Sequence, residues 1–269
     1  MSEIVILHAG ESARLDPVQA GFAHGFGIFE TIRLAGGRLS FWTEHWARMQ
    51  ASAAELQLDM AFDADAVLGA IRELVASDGL TGGLVKLSLL RDGAGTRLFV
   101  YARAAGPVPE SVQLKWEPRY PLNENSLLAG HKTHNYMENR ALLEAAQADG
   151  FYDVLRTSTS GHLAETAIGN LFFIAGGKLR TPALATGILP GVIRAEVLRI
   201  DGAEEGCYAV DVLKGAEAVF MTNSSCGILP VERLSGAGVD MRFSSANHPR
   251  VRELAASLAA AEQARSADL

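Results

Sequence analysis

Lys132 and Glu165 are the residues of this chain whose types and order along the sequence most directly suggest chemistry. Lys132 lies in the run LAGHKTHNYMEN, and Glu165 begins the later run ETAIGNLFF. A lysine amine can form an imine with an aldehyde, and a carboxylate can keep a pyridine nitrogen protonated. Pyridoxal phosphate needs these two groups most, so the pair predicts a site for that cofactor.

Each of these residues also has an ordinary interpretation. Lys132 must lose a proton before it attacks an aldehyde, and burial or a nearby cation would lower its pKa; the alternative is an exposed surface lysine. The alternative for Glu165 is a solvated glutamate at a strand edge. Asn170 is expected either to shape the local turn or to support polar groups of the cofactor.

The run GILPGVIRAEVL predicts the phosphate site. Gly191 allows close approach of the backbone, and the amides of Val192 and Ile193 begin a predicted helix whose dipole favours an anion. The run lacks the GK[ST] ending of a Walker loop. The sequence therefore predicts a phosphate held at a helix N-terminus.

Further cofactor contacts are predicted from side-chain chemistry. Arg48 can offer a fork of hydrogen bonds to the phosphate, and TNSSCG offers the Ser224 hydroxyl and the Ser225 amide. A solvent-facing helix arginine is the alternative for Arg48. Tyr136 is a candidate for a hydrogen bond to the phenolic oxygen of the cofactor.

Two other motifs are rejected. HGFGIFE contains Gly-x-Gly without a third glycine or a preceding strand, so it is not a dinucleotide fingerprint. His131 and His134 flank the lysine without a Cys or acidic cluster beside them. We therefore predict no metal.

The elements that must position these residues begin with an α+β pattern. IFETIRLAGGRLSFW predicts two strands around a Gly36-Gly37 turn, followed by a helix with Thr43 as its N-cap. A second helix ends at Gly79, and a hairpin turns at residues 92–95. Later residues alternate short strands with a helix that Gly150 ends.

Composition and prolines indicate the organisation of the chain. Its 269 residues are 48% hydrophobic and 20% charged, which suits a globular enzyme of one or two domains. We predict an N-terminal domain over residues 1–107, a Pro-rich linker over 108–125 and a C-terminal domain over 126–269.

Charge, hydropathy and cysteine content indicate which classes of partner and which cellular location to expect. A net charge of −7 without basic runs argues against nucleic acid. No apolar run has membrane length, and Glu3 stands where a signal peptide needs positive charge. Two cysteines without metal-ligand spacing suit a reducing environment. We therefore expect a cytoplasmic protein that acts on a small-molecule amine.

The order of these segments resembles a known family. GIFETIR, Arg48, the lysine and glutamate segments, GILPGVIR and TNSSCGILPV occur as in the fold type IV pyridoxal-phosphate enzymes: branched-chain and D-amino-acid aminotransferases and aminodeoxychorismate lyase. The resemblance implies an α/β protein with a small α+β N-terminal domain and an α/β pseudo-barrel C-terminal domain. It also implies a cofactor between them and a homodimer that completes each site.

The lysine run resembles the lyase branch of this family. LAGHKTHNYMEN is similar to the lyase pattern Leu-Ala-Gly-x-Lys-x-x-Asn-x-x-Glu, and Thr31 is found where the lyases carry a threonine beside the substrate. A β-branched strand residue is the alternative for Thr31. The resemblance implies an enzyme that converts 4-amino-4-deoxychorismate to 4-aminobenzoate and pyruvate, with Lys132 and Thr31 as its catalytic residues.

Four residues are predicted to contact the substrate, and their types do not decide which reaction the enzyme catalyses. Arg91 and Arg97 are candidate carboxylate clamps on a hairpin, with a solvated loop as the alternative. Phe26 and Phe29 are predicted to line the substrate wall, and Phe26 replaces the carboxylate in the family's Gly-Asp-Gly. A class IV aminotransferase for D-amino acids, branched-chain amino acids or (R)-amines, and a non-catalytic cofactor-binding homologue, remain alternatives.

Overall fold

The computed structural model describes residues 2–269, which divide into two compact units. The first unit extends to Gly106 and includes residues 131–136 and 262–269. The second comprises residues 107–130 and 137–261. The sequence-based division, which stays a prediction, instead assigns the segments 131–136 and 262–269 to the C-terminal domain.

The first unit is a mixed sheet with helices. Its elements are β1 (Glu3–Leu7), α1 (Ala20–Ala23), β2 (Gly27–Ala35), β3 (Arg38–Leu39), α2 (Trp42–Glu55), α3 (Ala64–Ser77), β4 (Gly82–Asp92) and β5 (Gly95–Arg103). The sheet order is β1-β5-β4-β2-β3, followed by a short strand from the C-terminus. Buried apolar side chains of α2, α3, β2, β4 and β5 form its core.

The turns of this unit follow the predicted glycine chemistry. Gly36 and Gly37 have φ of 57° and 75° between β2 and β3, and Gly93 has φ of 59° between β4 and β5. These positive φ angles suit glycine, since it lacks a Cβ. Both predicted hairpins are confirmed.

The predicted N-cap of α2 is wrong. The capping residue is Phe41, which has a left-handed φ of 52°, and Thr43 lies within the first turn. Phe41 is fully buried, so packing of its ring rather than a capping side chain determines where the helix begins. By contrast, Asp63 caps α3 in the ordinary way, because its carboxylate accepts from the Asp65 amide.

The second unit contains a sheet that closes on itself. Its elements are β6 (Val112–Trp116), α4 (Met137–Ala148), β7 (Asp153–Thr157), β8 (Leu163–Thr166), β9 (Asn170–Ala175), β10 (Lys178–Pro182), α5 (Val192–Asp201), β11 (Glu204–Gly206), β12 (Ala216–Asn223), β13 (Gly227–Gly236), β14 (Val239–Arg242) and α6 (Pro249–Ala264). The last residues of α6, from Glu262 onward, belong to the first unit. The C-terminal strand of the first unit is β15 (Ala267–Asp268). Strands run in the order β11-β10-β9-β12-β13-β6-β7-β8, and β8 also pairs with β9. The predicted pseudo-barrel is confirmed.

The predicted Pro-rich linker contains a strand. β6 lies inside the sheet between β13 and β7, so part of the segment 108–125 is a strand of this sheet, while the division of the chain into domains and a linker stays a prediction. Pro107, Pro109, Pro118 and Pro121 all lie outside β6. The strand therefore keeps its backbone donors, and the prolines flank it without interrupting the ladder.

No helix within residues 2–269 has the length and apolar character to cross a bilayer.

Candidate active site

Lys132 lies on a short segment that runs alongside β2 and is hydrogen-bonded to it. The Phe29 amide donates to the carbonyl of Lys132 at 2.8 Å, and the His134 amide donates to the carbonyl of Gly27 at 2.9 Å. These bonds fix the backbone on both sides of the lysine. Lys132 Nζ lies 4.4 Å from the Phe29 ring centroid and 5.2 Å from that of Tyr136. The two rings meet edge to face, with centroids 5.3 Å apart, so the amine lies against an aromatic surface.

A second lysine lies at the same aromatic ring. Lys86 Nζ is 4.0 Å from the Phe29 centroid and donates to Thr31 Oγ1 at 2.8 Å. Lys86 and Thr31 face each other across β4 and β2. Burial, together with the charges of Lys132 and Arg103, lowers the pKa of Lys86 to about 7.

We call Lys132, Phe29, Tyr136, Thr31 and Lys86 the lysine cluster. Lys86 is not among the site residues predicted from the sequence. Its signal was a single charged residue within the apolar strand LVKLSLL, in register with the predicted catalytic Thr31.

Arg48 lies in a buried ion network of the first unit. Its Nε and one terminal nitrogen donate to the two carboxylate oxygens of Glu30 at 2.8 and 2.7 Å, and His45 Nδ1 lies 2.7 Å from the same carboxylate. Burial acts to raise the pKa of Glu30, but the charge of Arg48, with His45, holds it well below its usual range. Glu30 thus positions Arg48, whose binding of phosphate stays a prediction.

The predicted substrate residues occupy different surroundings. The Arg91 guanidinium lies 4.0 Å from the Phe26 ring centroid and donates to the carbonyl of Gln57. Arg97 pairs instead with Glu3 and Asp92. The structure therefore brings Arg91 and Phe26 together, while acidic side chains hold Arg97. Their roles toward substrate stay predictions.

Glu165 in the second unit is oriented by a local hydrogen-bond network. It pairs with Asn170 across β8 and β9. Asn170 Nδ2 donates to Glu165 Oε2 at 3.1 Å and to the carbonyl of Leu189 at 2.8 Å, and the Leu189 amide donates to the same Glu165 oxygen at 3.0 Å. We call these three residues and Gly191 the carboxylate cluster. It holds the carboxylate in one orientation.

Gly191 connects this cluster to the start of α5. It occupies the N-cap position of the helix, and Val192 and Ile193 are its first residues. A Cβ at Gly191 would lie 2.0 Å from Asn170 Oδ1, so the close approach requires glycine. The positive end of α5 therefore starts beside the residues that orient Glu165.

Ser224 and Ser225 lie in the turn between β12 and β13. The amides of Ser225 and Cys226 donate to Asn223 Oδ1 at 2.9 and 3.1 Å. Asn223, absent from the sequence-based site, thus shapes the turn. The predicted use of the Ser225 amide by a phosphate would compete with this bond.

Asp153 is a buried carboxylate that the sequence did not single out. It accepts from the amides of Val154, Ala167 and Ile168 at 2.7, 3.1 and 3.3 Å. Burial raises the pKa of Asp153 to about 6. Because Ala167 and Ile168 follow β8 directly, Asp153 fixes the turn after Glu165.

The first unit thus contains a lysine amine beside aromatic rings, and the second contains an oriented carboxylate and a helix N-terminus. Each of these donor groups, taken by itself, has the chemistry that one part of pyridoxal phosphate needs: the amine for the aldehyde, the carboxylate for the pyridine nitrogen and the helix N-terminus for the phosphate. Within residues 2–269, no group of three or more His, Cys, Asp or Glu is arranged to hold a metal ion. Fold and donor set define a class: enzymes that use pyridoxal phosphate.

The family follows from comparison with known proteins. Residues 27–234 match the family model of amino-transferase class IV, and the chain belongs to this family. Pyridoxal phosphate is the cofactor of that family.

Individual relatives represent both branches. An aminodeoxychorismate lyase from Vibrio harveyi is 32% identical over 80% of this chain and 85% of its own. A D-alanine aminotransferase from Staphylococcus haemolyticus is 25% identical over 84% of this chain and 86% of its own. A solved Legionella pneumophila structure, to which 4-amino-4-deoxychorismate lyase activity is ascribed, is 27% identical with a TM-score of 0.86, covering 96% of this chain and 99% of that one.

Proposed function

We propose that the protein is an aminodeoxychorismate lyase, which converts 4-amino-4-deoxychorismate to 4-aminobenzoate and pyruvate. The observation that carries this proposal is the 32% identity to such a lyase over 80% of the chain. The lysine cluster adds support, because it contains the Thr31 and Lys132 that the lyase pattern requires.

Lys132 and Glu165 carry the central roles. Pyridoxal phosphate, when bound, supplies an aldehyde for the substrate amine and a ring that accepts electrons. Lys132 would hold the cofactor through Nζ and would then remove the proton from C4 of the substrate ring. Glu165, whose carboxylate Asn170 and Leu189 orient, would keep the pyridine nitrogen protonated. The enolpyruvyl group would leave with the C–O bonding electrons and take up one proton to become pyruvate, while the ring becomes aromatic.

Thr31 is proposed to face the substrate with its hydroxyl. Its Oγ1 accepts a hydrogen bond from Lys86, so its own hydroxyl proton remains available to donate. A hydroxyl fixed in this way can donate to an oxygen of the departing group. Phe29 and Phe26 are proposed to line the substrate, with Arg91 and Arg97 as carboxylate clamps.

The phosphate is proposed to bind at the start of α5. The amides of Val192 and Ile193 and the helix dipole favour an anion there. Arg48, held by Glu30, would add charge. Ser224, Ser225 and Tyr136 are proposed as additional contacts to the cofactor.

A turnover assay tests the lyase directly. Purified protein loaded with cofactor is given 4-amino-4-deoxychorismate, with and without an added keto acid, and 4-aminobenzoate fluorescence is followed. We expect product at the same rate in both cases, because elimination consumes no keto acid. Absence of product from a protein that visibly binds the cofactor would refute the lyase.

A class IV aminotransferase for D-amino acids is the second candidate. The D-alanine aminotransferase relative favours it, as does Phe26 in place of the family's carboxylate. Half-reactions with single amino donors distinguish the two, because only a transaminase converts its cofactor to the pyridoxamine form and needs a keto acid to return. A non-catalytic homologue would show cofactor absorbance and neither reaction.

We also propose a homodimer located in the cytoplasm. Val18 and Phe22 in the first unit, and Leu127 and Leu184 in the second, are exposed apolar side chains, as expected of surfaces that a partner covers. Neither Cys207 nor Cys226 forms a disulfide within residues 2–269, which suits a reducing compartment. Light scattering on the eluting protein tests the mass: a monomer at micromolar concentration would contradict the dimer.

A further inference from the structure

The residue before Lys132 is bonded to helix α2. His131 Nδ1 lies 3.0 Å from Ser52 Oγ, and its Nε2 lies 3.5 Å from a carboxylate oxygen of Glu55. Only 9% of the His131 side chain is exposed, and Ser52 is buried. A ring that carries its proton on Nε2 satisfies both partners, because Nδ1 then accepts from the Ser52 hydroxyl while the Nε2 proton faces the carboxylate.

The segment around Lys132 pairs with β2 over a very short length. Thr133 forms an isolated antiparallel bridge with Ile28, and Ile28 belongs to the core that α2 shares with the sheet. Side chains alternate between the two faces of an extended segment, so His131 and Thr133 face α2. Lys132, between them, faces the Phe29 ring on the other side. A slip of one residue would exchange these faces, so the contact of His131 with α2 fixes which face carries the amine.

The same helix connects Ser52 to Arg48. The two residues are one turn apart on one face, and Arg48 donates to the two carboxylate oxygens of Glu30 on β2 at 2.8 and 2.7 Å. The preceding residue of β2 donates its amide to the carbonyl of Lys132 at 2.8 Å. Strand, helix and lysine segment are therefore joined pairwise in a closed triangle, and His131 forms the side between the helix and the lysine segment.

We propose that His131 is a positioning residue: through its bond to Ser52 it fixes Lys132 relative to α2, the helix that carries Arg48. The two groups proposed to hold the aldehyde and the phosphate of the cofactor are thereby kept at a constant separation. This consequence rests on the proposed function, whereas the anchoring of the segment is a property of the folded chain.

Hydrogen exchange of the cofactor-free full chain tests the anchor. The amides of Phe29 and His134 donate across the bridge between β2 and the lysine segment, and mass spectrometry of overlapping peptides follows their exchange. We expect exchange to be about tenfold faster in His131→Phe and in Ser52→Ala, because each loses the side-chain bond that holds the segment. His131→Asn keeps a polar atom at the position of Nδ1 and should restore the wild-type rate.

The matched control is Ser77→Ala, which changes an exposed serine at the end of α3 and should exchange as wild type does. Ser52→Ala removes a single hydroxyl, so it decides the test even if His131→Phe does not fold. Exchange at the wild-type rate in Ser52→Ala would overturn the proposal.

Trapping of pyridoxal phosphate measures the effect on the amine. The full chain is equilibrated with increasing pyridoxal phosphate, reduced with borohydride and mapped by mass spectrometry, which gives the half-saturation concentration of each lysine. We expect this concentration to rise about tenfold at Lys132 in Ser52→Ala and to keep the wild-type value in His131→Asn. Labelling of the exposed Lys178 should not change in either variant.

The two measurements separate the possible failures. Faster exchange with unchanged labelling of Lys132 would overturn the positioning role. If Lys132 of the wild type takes no label, the proposed cofactor role is refuted, and the exchange rates alone then decide whether His131 anchors the segment.

Discussion

Lys132 combines an aromatic setting, between the rings of Phe29 and Tyr136, with a backbone fixed on both sides by hydrogen bonds. We predict that Lys132→Ala abolishes the visible absorbance of the cofactor-loaded protein and reduces turnover by about 10²–10⁴-fold, because the nucleophile and general base are lost together. Absorption spectra and product fluorescence measure the two effects. Lys178→Ala is the matched control, and colour retained by Lys132→Ala would contradict the assignment.

Glu30 is a second residue whose role can be isolated. Glu30→Gln removes the countercharge of buried Arg48, and we predict a loss of about 3 kcal/mol in the free energy of unfolding at pH 7. The folded-state pKa of Glu30 is below its ordinary value, so its contribution is present above about pH 4.5 and is lost as the pH falls.

Chemical denaturation at pH 7 and pH 4 should therefore show a smaller difference between wild type and Glu30→Gln at the lower pH. Glu144→Gln, which breaks an exposed pair with Arg140, should change stability by only about 0.3 kcal/mol. A difference that grows on acidification would show that Glu30 is not the stabilising charge.

At the scale of elements, β8, β9 and the start of α5 are connected through one glycine. Gly191→Ala would place a Cβ against Asn170 Oδ1, so Asn170 would have to move away from Glu165 and Leu189. We predict a loss of about 2 kcal/mol in stability and at least a tenfold weaker affinity for the cofactor. Thermal unfolding and cofactor titration measure these.

Gly215→Ala, which lies outside β8, β9 and α5, is the control, since a Cβ there meets nothing within 4 Å. Normal cofactor affinity in Gly191→Ala would mean that the contact between Asn170 and the N-terminus of α5 does not support the site.

For the whole molecule, Lys86 couples stability to pH. Its folded-state pKa of about 7 is below the ordinary value of 10.5, so the unfolded chain binds more protons between these values and wild-type stability rises with pH across that window. We predict that Lys86→Met is more stable than wild type by about 1–2 kcal/mol at pH 6, and that this gain disappears near pH 10. Differential scanning fluorimetry over that range measures it. A gain independent of pH would indicate altered packing rather than relief of a buried charge.

The sequence by itself determined the local features of this protein. The Gly36-Gly37 turn and the hairpin turn at residues 92–95 act over a few neighbours, so they could be predicted from the order of residues. The run around Lys132 and the run around Glu165 predicted the cofactor, because the chemistry of an amine and a carboxylate does not depend on knowing their neighbours.

Only the tertiary structure decided features that depend on residues far apart in the chain. It assigned residues 131–136 to the first unit, placed β6 inside a sheet and started α2 at the packing of Phe41 rather than at Thr43. It also brought Lys86 to the ring of Phe29 and Asp153 to the turn after Glu165. Such contacts arise from strand register and burial, which are properties of the folded chain as a whole.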